Sequence, residues 1–168
     1  MKKFTTVDLF AGAGGITEGF RQAGFQCLFA NDFNALAVET FKLNHPESEV
    51  VCGPIQDIDA AKVMKRIGLR EGDLDVLVGG PPCQGFSINA PERFVDDPRN
   101  QLFKNYLKFV DAFQPKTLMF ENVPGMLSFE GGKIFERVVQ EIEKRGYIVE
   151  AKVLFAAHYG APQERWRV

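Results

Sequence analysis

Cysteine is scarce in this chain, and so is any surplus of positive charge. Its three cysteines, Cys27, Cys52 and Cys83, are odd in number and irregularly spaced, so they build no disulfide framework. There is no Cys-x-x-Cys pair, and the two histidines, His45 and His158, stand alone, so zinc is not expected. No apolar run approaches the roughly 18 residues needed to cross a bilayer. The opening Met1-Lys2-Lys3-Phe4 leads into a short apolar stretch that Asp8 interrupts at once, unlike a secretory signal. Together these absences predict a reduced, cytoplasmic protein with no membrane and no metal. The net charge is −2, whereas nucleic-acid-binding domains usually carry a basic excess that neutralises phosphates. If the chain acts on nucleic acid, its phosphate contacts come from a local patch or from protein outside it.

What is present is an ordinary globular composition, 45% hydrophobic and 25% charged. The 168 residues suffice for one domain with a real core. Strand and helix patterns alternate. Phe4 to Leu9, Cys27 to Ala30, Val50 to Cys52, Asp75 to Val78 and Thr117 to Phe120 read as short buried strands. Ile16 to Ala23, Asn34 to Leu43 (with Leu36, Thr40 and Phe41 on one side) and Asp59 to Ile67 read as helices. Leu102, Tyr106, Phe109, Val110 and Phe113 recur at helical spacing, as do Ile134, Val138, Val139 and Ile142 before Gly146. Ile148 to Phe155 reads as a further strand, and Arg165 to Val168 as the beginning of another. The prediction is an α/β, doubly wound, mostly parallel sheet in one domain over 1–168. Gln84 to Asn100, rich in Pro, Asn and Asp, reads as a mobile loop, of the kind that is either a functional lid or poorly ordered.

Three strand ends carry candidate ligand chemistry. Asp8-Leu9-Phe10-Ala11-Gly12-Ala13-Gly14-Gly15 closes the first strand and opens a helix; glycines there allow a tight turn and a close backbone approach to a ligand. Asn31-Asp32-Phe33 closes the second strand. An acid about 20 residues beyond the glycines suits a ribose hydroxyl pair, and an aromatic beside it suits adenine; a plain helix cap is an equal alternative. Asp57-Ile58 beyond the third strand suits the adenine edge, although capping is the commoner use of such an Asp. Jointly the three ends predict an adenosine site.

The sharpest signal is Gly79-Gly80-Pro81-Pro82-Cys83-Gln84-Gly85-Phe86-Ser87, after the fourth strand. Two prolines stiffen the backbone just ahead of a thiol, fixing the direction of the sulfur at low entropic cost. Cys27 and Cys52 lie in or beside apolar strands and read as small core residues, whereas a Gly/Pro/Ser loop gives Cys83 no core to fill. Glu121-Asn122-Val123-Pro124-Gly125 follows the fifth strand; Glu121 reads equally as a general acid or a turn acid. Arg165 and Arg167, two apart, share one face of a strand, toward a phosphate or a base, or else toward solvent.

With these residues in view, the sequence resembles the DNA (cytosine-5) methyltransferases. It matches their motifs in order: the turn from Phe10 to Gly15, Asn31-Asp32 where the family more often has Glu, Gly53 to Ile58, Pro82-Cys83-Gln84, Asp97 to Phe103, Glu121-Asn122-Val123, and Tyr159 to Arg167. The resemblance spans essentially the whole chain. It implies a Rossmann-like, S-adenosylmethionine-dependent methyltransferase fold, truncated near its last strand and lacking the family's target-recognition domain. It further implies a donor site of Phe10, Ala11, Gly12, Ala13, Gly14, Gly15, Asp32, Phe33, Asp57, Ile58, Pro82 and Leu102. Cys83, Glu121 and Arg167 become the catalytic residues, and Gln84, Ser87, Asn122 and Arg165 contacts to the substrate. The expected activity is methylation of a flipped cytosine in duplex DNA through a covalent Cys83 adduct, in a restriction-modification setting. Methylation of RNA at the same carbon, or a non-catalytic cofactor-binding subunit of a split methyltransferase, is the alternative. A second chain carrying target recognition is the implied protein partner.

Overall fold

Thr5-Thr6-Val7-Asp8-Leu9 holds three β-branched residues in five positions and no Gly or Pro, which favours extended backbone. It forms β1 (Thr5–Leu9), buried on both faces from Thr6 onward. The computed structural model describes residues 3–82 and 101–168, and the expected loop from Gln84 to Asn100 lies outside them. Around β1 stand α1 (Gly15–Gln22), β2 (Gln26–Asp32), α2 (Ala35–Asn44), β3 (Glu49–Cys52), α3 (Ala60–Arg66), β4 (Val76–Gly79), α4 (Gln101–Phe113) and β5 (Thr117–Phe120). The five strands form one sheet in the order β3-β2-β1-β4-β5, parallel at every pairing. The chain winds outward from β1 to β3, then returns to β4 and winds the other way. Right-handed crossovers then put α1 and α2 on one face and α3 and α4 on the other. This is the predicted doubly wound α/β fold, with the reversal of winding between β1 and β4.

Among the described residues, 3–81 and 102–120 form one compact unit, and 121–168 belong to a second. In the first, Val7, Leu9, Phe29, Ala30, Leu77 and Val78 fill the sheet, and Tyr106, Phe109, Val110 and Phe113 cover it from α4. Phe103 and Tyr106 meet Phe120 edge-on, with ring centroids 5.7 and 5.4 Å apart, fixing α4 against β5. A β-carbon on Gly79, at the end of β4, would stand 2.7 Å from the Tyr106 ring, so only glycine fits there.

Three sequence expectations need correction. The buried face of α2 is Val38 and Phe41, followed by His45 at its C-cap, while Leu36 and Thr40 are exposed. Cys27 is buried as expected, but Cys52 is exposed, because β3 is the edge strand and Cys52 ends it. The strand predicted over Ile148 to Phe155 contracts to β6 (Leu154–Phe155), and Ile148 is 99% exposed. Without a ladder partner before Leu154 among the described residues, β-branched composition alone does not make a strand.

In the second unit, α5 (Lys133–Glu143) buries Ile134, Val138 and Ile142 at i, i+4, i+8 spacing. β6 pairs antiparallel with β7 (Trp166–Arg167), where the Phe155 and Trp166 rings stack at 4.2 Å.

Candidate functional site

The glycine turn leaves the end of β1 through alternating left-handed residues: Phe10 at φ 60°, Gly12 at φ 56° and Gly14 at φ 93°. Glycine takes this region freely, but for Phe10 it is strained, and such strain persists only where surrounding bonds over-determine the backbone. Those bonds are present. Ala11 N–H donates to Asn31 O (2.9 Å), Gly14 N–H to Ala11 O (3.0 Å), and Gly12 N–H to the Asp32 carboxylate (2.8 Å). The other Asp32 oxygen accepts from Asn34 N–H (2.8 Å). Asp32 therefore fastens the turn between β1 and α1 to the loop that enters α2.

The capping alternative for Asn31 and Asp32 falls away. Asn34 caps α2, accepting from Leu36 and Ala37 N–H, while the Asn31 amide spans to Val51 O and Gly53 O. Phe33 follows and is 72% exposed. An uncovered aromatic beside a buried acid and a left-handed glycine turn suits a nucleoside, with the base on the ring and the ribose toward the acid. Asp57 does not cap α3 either: Asp59 does, accepting from Lys62 N–H, and Asp57 lies exposed in a 3-10 turn over Ile55–Asp57. Ile58 and Leu102 are half-buried and Pro82 is exposed.

Beneath the turn the sequence hid two polar groups. Asp8 is 1% exposed and accepts from Thr17 Oγ1 at 2.6 Å. Burial pushes its carboxyl up to about 6, against the pull of the Thr17 bonds. His45 is equally buried and reaches Gly14 O with Nε2 at 3.3 Å. A solvent-open groove of about 860 Å³ borders Ala13, Gly14 and Gly15 between α1 and the end of α2; neither Asp32 nor Phe33 lines it. It is therefore separate from Asp32 and Phe33. Hydrophobic periodicity gave no sign of either residue, because both break an apolar pattern.

In the second unit Glu121, Arg165 and Arg167 come together. Residues 122 and 168 run side by side, each N–H donating to the other's carbonyl at 2.8 and 2.9 Å. That pairing brings Arg167 Nε to 2.7 Å from Glu121 Oε1, with Arg165 Nη2 at 4.0 Å from the same oxygen. The two arginines thus share one face, as their spacing predicts, and face a carboxylate rather than solvent alone. The buried Asn122 turns its side-chain oxygen to Val123 N–H (2.9 Å), stiffening the turn after Glu121. Cys83, Gln84 and Ser87 lie outside the described residues. Among the described residues, no group of three or more His, Cys, Asp or Glu side chains is arranged to hold a metal ion, and no helix is long and apolar enough to cross a membrane.

Known proteins agree with this architecture. The chain is 47% identical over 163 residues to the Type II methyltransferase M.AgeI of Thalassovita gelatinovora, covering 97% of this chain and 38% of that protein. It is 38% identical over 164 residues to the Type II methyltransferase M.XorII of Xanthomonas oryzae, again covering 38% of the relative. Among solved structures, a putative DNA modification methyltransferase encoded within an E. coli prophage superposes with a TM-score of 0.78 at 30% identity, over 98% of this chain and 45% of that one. The chain thus spans about two-fifths of the length of these relatives. The model of the C-5 cytosine-specific DNA methylases matches residues 4–168. By that match over nearly its whole length, the chain belongs to the C-5 cytosine-specific DNA methylase family.

Proposed function

We propose that this chain is the donor-binding and base-attacking part of an enzyme that methylates carbon 5 of cytosine in duplex DNA. The observation that carries the reading is the Glu121–Arg167 pair. A carboxyl group and a guanidinium 2.7 Å apart complement two neighbouring groups on one edge of cytosine, ring nitrogen 3 and the carbonyl oxygen. The order of the chain supports it. Cys83 follows β4 and Glu121 follows β5, and these strands are adjacent in the sheet.

The turn from Phe10 to Gly15, with Asp32 and Phe33, would hold S-adenosylmethionine, which supplies a methyl group on a positively charged sulfur. Asp57, Ile58, Pro82 and Leu102 complete its proposed contacts. The Cys83 thiolate adds to carbon 6 of the base, making carbon 5 electron-rich. Glu121 bonds to or protonates nitrogen 3 as charge develops there, and Arg167 holds the carbonyl oxygen. Carbon 5 so activated would accept the methyl group as the methyl–sulfur bond of the donor breaks, the electron pair staying on sulfur. A base then removes the carbon-5 proton, and the Cys83 sulfur departs as the ring regains its double bond. Arg165 and Ser87 would take a backbone phosphate, and Gln84 and Asn122 the extruded nucleotide, since neither ring face is reachable inside a duplex. Target recognition would come from protein beyond these residues, in the same polypeptide or in a second chain. A bacterial restriction-modification setting in the cytoplasm suits the named relatives.

The test is covalent trapping. With the complete enzyme and S-adenosylmethionine, duplex DNA containing 5-fluorocytosine should give a stable protein–DNA adduct, because fluorine blocks proton removal. Cys83→Ala should give none while still binding S-adenosylhomocysteine. Methylation that persists in Cys83→Ala would overturn the reading.

A further inference from the structure

His45 has no task in the mechanism above, yet it is the side chain on which the glycine turn rests. It caps the C-terminus of α2, its N–H donating to Phe41 O at 2.8 Å, and its ring lies against Phe41 with centroids 4.8 Å apart. Its own carbonyl accepts from Ser48 N–H, and Ser48 Oγ donates to Cys27 O at 2.9 Å, which ties the segment after α2 to β2. A β-carbon on Gly14 would stand 2.7 Å from His45 Cδ2 and Nε2, so the ring occupies the space that any other residue there would need. The Gly14 carbonyl can only accept, so His45 Nε2 carries the hydrogen in the 3.3 Å contact. Nδ1 is buried and without a partner among the described residues.

The same carbonyl accepts from Glu18 N–H at 2.8 Å, the first bond of α1. In a trans peptide the C=O and the following N–H point in opposite directions. Holding Gly14 O toward His45 and the helix therefore turns Gly15 N–H outward at the N-terminus of α1, where an anionic group is favoured.

We propose that His45 is a positioning residue for the methyl donor: by gripping Gly14 O it aims Gly15 N–H at the carboxylate of the donor's amino-acid end. The proposal rests on the donor-site reading above. It is tested by calorimetry on the full chain with two probes, S-adenosylhomocysteine, which has the carboxylate, and methylthioadenosine, which lacks it. His45→Phe keeps a ring under Gly14 and removes the donor, and should weaken S-adenosylhomocysteine about fivefold to tenfold, the range for one hydrogen bond, with methylthioadenosine unmoved. His45→Gln, whose amide nitrogen reaches the place of Nε2, should restore the affinity, whereas the shorter His45→Asn should not. This pair carries the test if the Phe variant fails to fold. Equal loss for both probes, or loss for neither, overturns the role of His45 and leaves the donor site standing. If the wild-type chain binds neither probe, the donor-site reading and this proposal fail together.

Discussion

Both oxygens of the Asp32 carboxylate are committed inside the protein, one to Gly12 N–H and one to Asn34 N–H. Each oxygen keeps a second lone pair, so a ribose hydroxyl can be bound without undoing the turn. In the proposed donor site the acid would therefore act twice, shaping the glycine turn and presenting an acceptor. Asp32→Ala removes both and should weaken S-adenosylhomocysteine by about tenfold or more, on the scale of charged hydrogen bonds. Asp32→Asn should fall between, because an amide has one oxygen and accepts on that side only. Calorimetry on the two variants checks the order; an unchanged affinity in Asp32→Ala would remove this residue from the site.

At the scale of elements, the sheet is fastened at the edge opposite the glycine turn. Asp75, just before β4, accepts from Thr5 N–H (2.8 Å) and Thr5 Oγ1 (3.1 Å) at the start of β1, and from Lys116 Nζ (2.7 Å) just before β5. One carboxylate thus joins three adjacent strands. Burial pushes its pKa up, but the bonds from Lys116 and Thr5 outweigh that and hold it below the usual range. Asp75→Ala should lower unfolding stability by about 2 kcal/mol, read by urea titration. A depressed folded pKa gives stability that is complete above the ordinary carboxylate range and fades as pH falls through the folded value. Asp75 should therefore contribute at neutrality and lose its effect below about pH 4. A loss of stability near zero at pH 7 would reduce Asp75 to a bystander.

The elements themselves were largely legible in the sequence, since buried parallel strands read as short apolar runs bounded by turns. Helix α1 and strand β5 fall within a residue of expectation. What periodicity could not show was which face a short helix buries, so Leu36 of α2 points outward. Nor could it show that Ile148 lacks a ladder partner. Of the candidate site, the nearness of Glu121 to Arg165 and Arg167 was legible, because motif and geometry coincide there. Asp75 and His45 were not, because their roles exist only through partners 70 and 31 residues away.

For the whole molecule, the consequential oddity is an acid in the centre of the sheet. Asp8 keeps its proton to about pH 6 when folded, because burial disfavours the carboxylate more than the Thr17 bonds favour it. The unfolded chain releases that proton at about 3.9. Between those values the folded state binds the extra proton, so raising the pH favours unfolding. The contribution of Asp8 is therefore complete below about pH 4, declines through about pH 6 and stays flat above, a loss of roughly 3 kcal/mol across the window. Glu18, lowered to about 2 by the Arg21 and Gln22 bonds, has the opposite sign and acts only at lower pH, as does Asp75. The Glu18 window meets that of Asp8 only near pH 4, and wild type and variant share it, so one substitution isolates the effect. Asp8→Asn retains an oxygen for Thr17 and cannot ionise. Its stability should match the wild type near pH 4 and exceed it at pH 7, because the wild-type penalty is gone. Urea unfolding at closely spaced pH values gives both curves, and parallel curves from pH 4 to 6 would mean that Asp8 stays charged in the fold.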